Sequence, residues 1–204
     1  MATNLAERFH TPEEYLALER KAEYRSEYID GRIYAMPPSN RWHSLITGNI
    51  GASIHLQLRG QHCEVYMVSL RVRVHEPAMY AYPDVAALCG EAQLEDGHLD
   101  TLLNPSVIIE VLSESTERYD RGAKFMHYRR LESLQEYVLV SQQRPLVERY
   151  VRHGTKWVLT EISDLEQGVL TLESIGCAVA LRDIYERVEF TEDADDRGPQ
   201  PPRG

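Results

Sequence analysis

The stretch Val107-Ile108-Ile109-Glu110-Val111-Leu112 does most to limit what this chain can fold into. Five of its six side chains are aliphatic, so it reads as a strand covered on both faces. Such a strand needs layers on either side, and 204 residues can supply them within one domain. The glutamate in its middle is the anomaly, because a buried carboxylate is costly unless it is paired or binds a metal. A second acid sits in similar surroundings, in Tyr82-Pro83-Asp84-Val85-Ala86-Ala87-Leu88. Two acids inside consecutive apolar strands can face one cavity and hold a divalent cation through oxygen ligands. The plain alternative is that each acid has its own arginine or ends in water, and Asp84, directly after a proline, is the more open to it.

The rest of the chain supplies the layers. Thr11-Pro12-Glu13-Glu14 is a helix start with a capping box and a proline in the first turn. Asp30-Gly31 predicts a hairpin between Glu27 and Tyr34. A second helix, capped by Ser39, runs to about residue 58 with Gly60 as its stop, and Gly48 to Gly51 within it suits close packing. Residues 64–75 alternate apolar and polar as one strand, bent near Ser69. A polar excursion separates the strands that carry Asp84 and Glu110. Then come a helix over 120–131, a strand over 136–140, a hairpin pairing 146–150 with 156–161, a strand over 169–172 and a helix over 181–188. This order predicts an α/β (α+β) domain over residues 1–190: a central mixed sheet flanked by helices, with an N-terminal helix and hairpin. Residues 191–204 are acidic and proline-rich and read as a disordered tail.

Charge and cysteine usage narrow the function. The chain carries 32 acidic and 22 basic residues, a formal charge of −10. Four acids against two arginines in the tail leave −8 on residues 1–190. A basic nucleic-acid coat protein is therefore excluded, since phosphate binding of that kind needs surplus Lys and Arg. A locally basic site is not. Cys63, Cys89 and Cys177 have no metal-like spacing and read as reduced, buried thiols. Without a secretory signal or an apolar run of membrane-spanning length, a cytoplasmic protein with no membrane association is expected.

Taken together, Tyr82-Pro83-Asp84-Val85, Glu110-Val111-Leu112-Ser113, Asp120 with Lys124 and Tyr128, and Glu136-Tyr137-Val138-Leu139-Val140 resemble the Uma2 (DUF820) family of the PD-(D/E)xK superfamily. The resemblance implies a restriction-endonuclease-like core. It implies that Asp84 and Glu110 are catalytic metal ligands, with the Val111 carbonyl as a third, holding Mg²⁺ or Mn²⁺. Leu112 stands where the parent pattern places a lysine, and the resemblance transfers that duty to Lys124. Asp120, Lys124 and Tyr128 recur every four residues and share one helical face, which makes the transfer geometrically possible. The plain alternative is a surface pair between Lys124 and Asp120. Related nucleases place a histidine at His43's position as an extra metal ligand. Glu27 and Tyr128 are candidates for supporting contacts.

Arg118, Arg121 and Arg129, with Arg71 and Arg73 on one strand face, are candidates for binding a nucleic-acid backbone. The expected activity is metal-dependent hydrolysis of nucleic-acid phosphodiesters, with DNA the expected substrate, by a homodimer. Two other readings stay open. One is a retired nuclease fold kept as a nucleic-acid or protein binding module, favoured by Leu112 and the net acidity. The other is a sugar hydrolase built on two carboxylates, which would need no lysine or basic patch.

Overall fold

The structure, a computed structural model, describes residues 9–68, 70–76 and 78–190. The tail expected over 191–204 lies outside the described residues. Helix α1 (Pro12–Glu19) starts as its capping box dictates, with Thr11 Oγ1 accepting from the Glu14 N–H and the Glu14 carboxylate from the Thr11 N–H. Strands β1 (Ser26–Ile29) and β2 (Arg32–Ala35) form the Asp-Gly hairpin. Asp30 and Gly31 both have positive φ, 46° and 91°, which is the backbone a two-residue primed turn requires.

Helix α2 (Arg41–Leu58) begins one residue later than expected, because Asn40 rather than Ser39 accepts the His43 N–H, at 2.9 Å. A Cβ at Gly51 would collide with Met67 Sδ, so glycine there lets β3 (Cys63–Met67) close onto the helix. Next come β4 (Arg71–Val74), β5 (Met79–Ala81), β6 (Val85–Cys89), β7 (Thr101–Leu102) and β8 (Val107–Leu112). One helical stretch then combines α3 (Glu117–Tyr119), a π-helical turn (Asp120–Lys124) and α4 (Phe125–Tyr128). The chain continues through β9 (Glu136–Ser141), β10 (Val147–His153), β11 (Lys156–Ile162), β12 (Val169–Leu172), β13 (Cys177–Ala180) and α5 (Leu181–Ile184).

The described strands form a six-stranded mixed sheet in the order β11-β10-β9-β8-β6-β3, a five-stranded sheet β2-β1-β5-β4-β7 and the hairpin β12-β13. In the larger sheet only β8 and β9 run parallel. Its β8 is buried at every position, as its composition requires. Val107, Ile109 and Val111 pack with Ile46, Ile50 and Ile54 of α2. Ile108 and Leu112 pack on the other face with Phe125 and Tyr128. Period two places Glu110 on that second face, toward the 117–128 helix.

Several expectations need correcting. Residues 64–75 are not one bent strand but two strands in different sheets. Val68 makes the switch in the left-handed region (φ 58°), a costly conformation for a β-branched residue. The strand expected over 82–88 likewise breaks. The chain leaves the smaller sheet at Ala81 and enters the larger at Val85, so Asp84 sits at a corner, not in a strand interior. Pro83, which has no N–H for a ladder, lies in that corner.

The single sheet is joined by a second, and β7 and β13 arise where none was expected. Cys63 and Cys89 are not reduced thiols. The β3–β6 register sets them directly opposite, Cα atoms 3.9 Å apart, and they form a disulfide. Cys177 is free and buried, as expected.

Candidate active site

The larger sheet's central strand, the corner between the sheets and the 117–128 helix meet at one point. The β6–β8 register pairs Val85 with Ile109, so one step further along Asp84 faces Glu110. There β6 has ended, and the Val111 N–H donates instead to Asp84 Oδ2 at 2.7 Å. A strand residue's N–H and C=O point to the same edge, so the Val111 carbonyl faces the same opening. His43, in the first turn of α2, places Nε2 3.2 Å from Asp84 Oδ2.

Lys124 is buried in the π turn, and its Nζ lies 2.9 Å from Glu110 Oε1, 3.1 Å from Glu27 Oε1 and 3.5 Å from Asp120 Oδ1. Glu27 is itself held by the Tyr82 N–H, at 3.3 Å. One ammonium thus touches carboxylates from β1, β8 and its own helix. Its approach to Glu110 is close but out of line for a hydrogen bond, and Glu110 Oε1 is buried with no hydrogen-bond partner.

These groups open into a cavity of about 1080 Å³. Among its described lining residues are six acids, Glu27, Asp84, Glu110, Glu114, Asp120 and Glu189, while Lys124 is the single lysine or arginine. The electrostatics follow from that imbalance. Burial pushes the Glu110 carboxyl well above the usual range despite the opposing pull of Lys124, and the neighbouring acids add to the rise. Burial raises Asp120 too. Burial would lower Lys124, but Glu110 and Glu27 override it and keep the ammonium charged. For His43 the pull of burial is likewise overcome by the hydrogen bond and charge of Asp84.

The donor set is oxygen-rich, strongly negative and includes an orphaned carboxylate oxygen, which fits a hard divalent cation such as Mg²⁺ or Mn²⁺. Among the described residues no group of three or more His, Cys, Asp or Glu side chains forms a ready-made metal cage.

The structure brings together Asp84, Glu110, Val111, Lys124, His43 and Glu27. Tyr128 is fully buried behind them, its hydroxyl unpartnered and its pKa raised well above the usual value by burial. Leu112 packs in the core on the same strand face as Glu110 and is not among the described residues that line the cavity. The basic candidates are not brought to the opening. Arg71 is buried against Asp100 and Tyr82, Arg73 is bound to Glu95, and Arg121 to Glu117 and Glu148. Arg118 and Arg129 lie outside the cavity lining as well. Sequence reasoning missed three of the aromatic residues that line the cavity, Tyr34, Trp42 and Tyr119, which carry no local signal that separates them from core aromatics.

The chain is similar to known proteins over most of its length. Residues 12–181 match the family model described as "Uma2: Putative restriction endonuclease". The uncharacterized protein slr1290 of Synechocystis sp. (strain PCC 6803) is 33% identical over 181 residues, covering 88% of this chain and 93% of that one. The uncharacterized protein sll1609 of the same organism is 35% identical over 153 residues, covering 74% and 86%. A crystal structure described as a "putative nuclease belonging to DUF820", from Anabaena variabilis, superposes with a TM-score of 0.70. At 18% identity, over 85% of this chain and 96% of that one, the likeness speaks to the fold.

Proposed function

The chain belongs to the Uma2 family, and on that premise we propose that it is a metal-dependent nuclease acting at the Asp84–Glu110–Lys124 centre. Asp84, Glu110 and the Val111 carbonyl would hold Mg²⁺ or Mn²⁺. When bound, the ion lowers the pKa of a water and offsets charge on the scissile phosphate. The chain's own groups do the rest. The Lys124 ammonium, kept protonated by three carboxylates, donates to a phosphate oxygen or orients the attacking water. Glu27 fixes where that ammonium stands, since its carboxylate is held by the Tyr82 N–H. His43 and the Val111 N–H hold the Asp84 carboxylate in one orientation.

The observation that carries the reading is Lys124 beside Glu110 with Asp84 across the strand register, in a cavity whose described lining has six acids and one lysine. Purified protein is expected to cleave nucleic acid with Mn²⁺ or Mg²⁺, tested first on DNA. Asp84→Asn is expected to lower the rate by about 10²–10³-fold, the scale of losing one transition-state stabilising group. Equal cutting by parent and variant would overturn the proposal.

The second reading, a binding module that no longer cuts, draws on Leu112, which stands where the parent pattern places a lysine. Tight nucleic-acid binding with neither metal uptake nor cleavage would favour it.

A further inference from the structure

The chemistry above leaves one part of the cavity unused. Tyr34, Ala35, Met36, Pro37, Pro38 and Trp42, from the end of β2 and the start of α2, line the same space as the acids. Tyr34 is 46% exposed, and the half-buried Trp42 indole carries the Arg41 guanidinium 4.5 Å from its centroid. Trp42 immediately precedes His43, whose imidazole touches Asp84, so this aromatic surface is anchored one residue from the acids. A further group points to a ligand. Gln142 lines the cavity, is 9% exposed, and its carboxamide oxygen is buried without a hydrogen-bond partner.

Size and charge say what such a wall can take. About 1080 Å³ is the scale of a small-ligand pocket, roughly 300–1,000 Å³. A duplex carries a negative charge about every 1.7 Å and is tracked by many Lys and Arg. This cavity has only Lys124 among its described lining residues. A nucleobase makes the opposite demands. Its uncharged face stacks on aromatic side chains, and its edge needs a donor and acceptor such as an amide provides.

We propose that this wall receives one unstacked base of a single-stranded nucleic acid, its face on Trp42 and Tyr34 and its edge read by Gln142. The proposal rests on the nuclease reading of the acids, and it makes the preferred substrate a single strand or a frayed end. The base would set which phosphate reaches Lys124, so strand selection would come from stacking and not from a basic groove.

Only two tryptophans are present, Trp42 and Trp157, so Trp157→Phe leaves Trp42 as sole reporter. In a Trp157→Phe protein without added divalent metal, which on the nuclease reading cuts nothing, a single-stranded tetranucleotide is expected to quench Trp42 emission. An abasic tetramer of equal charge and a blunt hairpin duplex are expected not to. Gln142→Leu and, separately, Trp42→Leu should each weaken tetranucleotide binding about tenfold or more by fluorescence anisotropy. Equal quenching by the abasic strand, preference for the duplex, or no binding of any strand overturns the inference. Cleavage is scored separately on the parent protein. Duplex cutting with Mn²⁺ and no base-dependent quenching would remove this inference and leave the nuclease reading standing. Base-dependent quenching without cleavage would do the reverse.

Discussion

Lys124 is buried among three carboxylates, and its charge answers for all of them at once. Replacing it with Gln keeps a polar side chain of moderate length but removes the cation. Metal-dependent cleavage is expected to fall by about 10²–10³-fold, and Lys124→Arg should not restore it, because a planar fork cannot occupy the place of a compact ammonium. Rate measurements at saturating Mn²⁺ check this, and a variant of unchanged rate would return Lys124 to a merely structural ion pair. Asp100 shows the same physics away from the site. Arg20, hydrogen-bonded to it, holds its carboxyl well below the usual range against the opposing effect of burial, and Arg71 adds to the lowering. A folded pKa below the unfolded one means stability fully present above about pH 4 and lost as the pH falls toward the folded value. Asp100→Asn is expected to cost about 1.5–3 kcal/mol at pH 7, the range for hydrogen bonds to charged groups. Urea midpoints of parent and variant should draw together progressively as the pH falls below about 4, and a gap that stays constant from about pH 6 to about pH 3 would show that the loss is not electrostatic.

At the scale of elements, the π turn Asp120–Lys124 decides how the helix meets β8. An extra residue in one turn lets Asp120, Lys124 and Tyr128 all stay buried. Gly122 has open space where a side chain would go. Deleting it should return the turn to α geometry and place Asp120 three positions before Lys124 instead of four, with the flanking helical segments close to their present register. Helical circular dichroism is expected to persist, while cleavage is expected to fall as the narrower turn changes how Lys124 and Asp120 meet Glu110. Undiminished cleavage would show that the extra residue has no part in the site. This turn was not legible in the sequence, because a four-residue recurrence looks the same in an α-helix.

What was legible is what short-range chemistry dictates. Thr11 and Glu14 cap α1, Asp30 and Gly31 turn the hairpin, and the aliphatic run around Glu110 marks the central strand. What was not legible depends on partners far along the chain. Val68 leaves its sheet with no described glycine or proline beside it, and Cys63 meets Cys89 only because β3 and β6 pair across 26 positions. Arg71 and Arg73 were readable as basic residues, but the Asp100 and Glu95 that engage them lie in the polar excursion, whose path no local signal fixes.

At the scale of the molecule, the site lies on the seam between two sheets. The chain ends its run in the larger sheet at Met67 and returns to that sheet at Val85, and the Val68 N–H donates to the Asp84 carbonyl at 3.1 Å, tying the two places together. Glu27 comes from the smaller sheet and Glu110 from the larger. An ion held at this point would brace both, so Mn²⁺ at about 100 times its Kd is expected to add about 2.7 kcal/mol to the unfolding free energy. Thermal melts with and without Mn²⁺ check this, and a shift that survives in Asp84→Asn would place the ion elsewhere.

The seam also orders events in time. The groups of the centre are drawn from β1, the corner, β8 and the π turn, spread from residue 27 to residue 124, and no local segment contains enough of them to act. A nascent copy that has not passed residue 124, or one whose two sheets have come apart, therefore lacks the centre. Any cutting chemistry it supports is withheld until these elements have assembled.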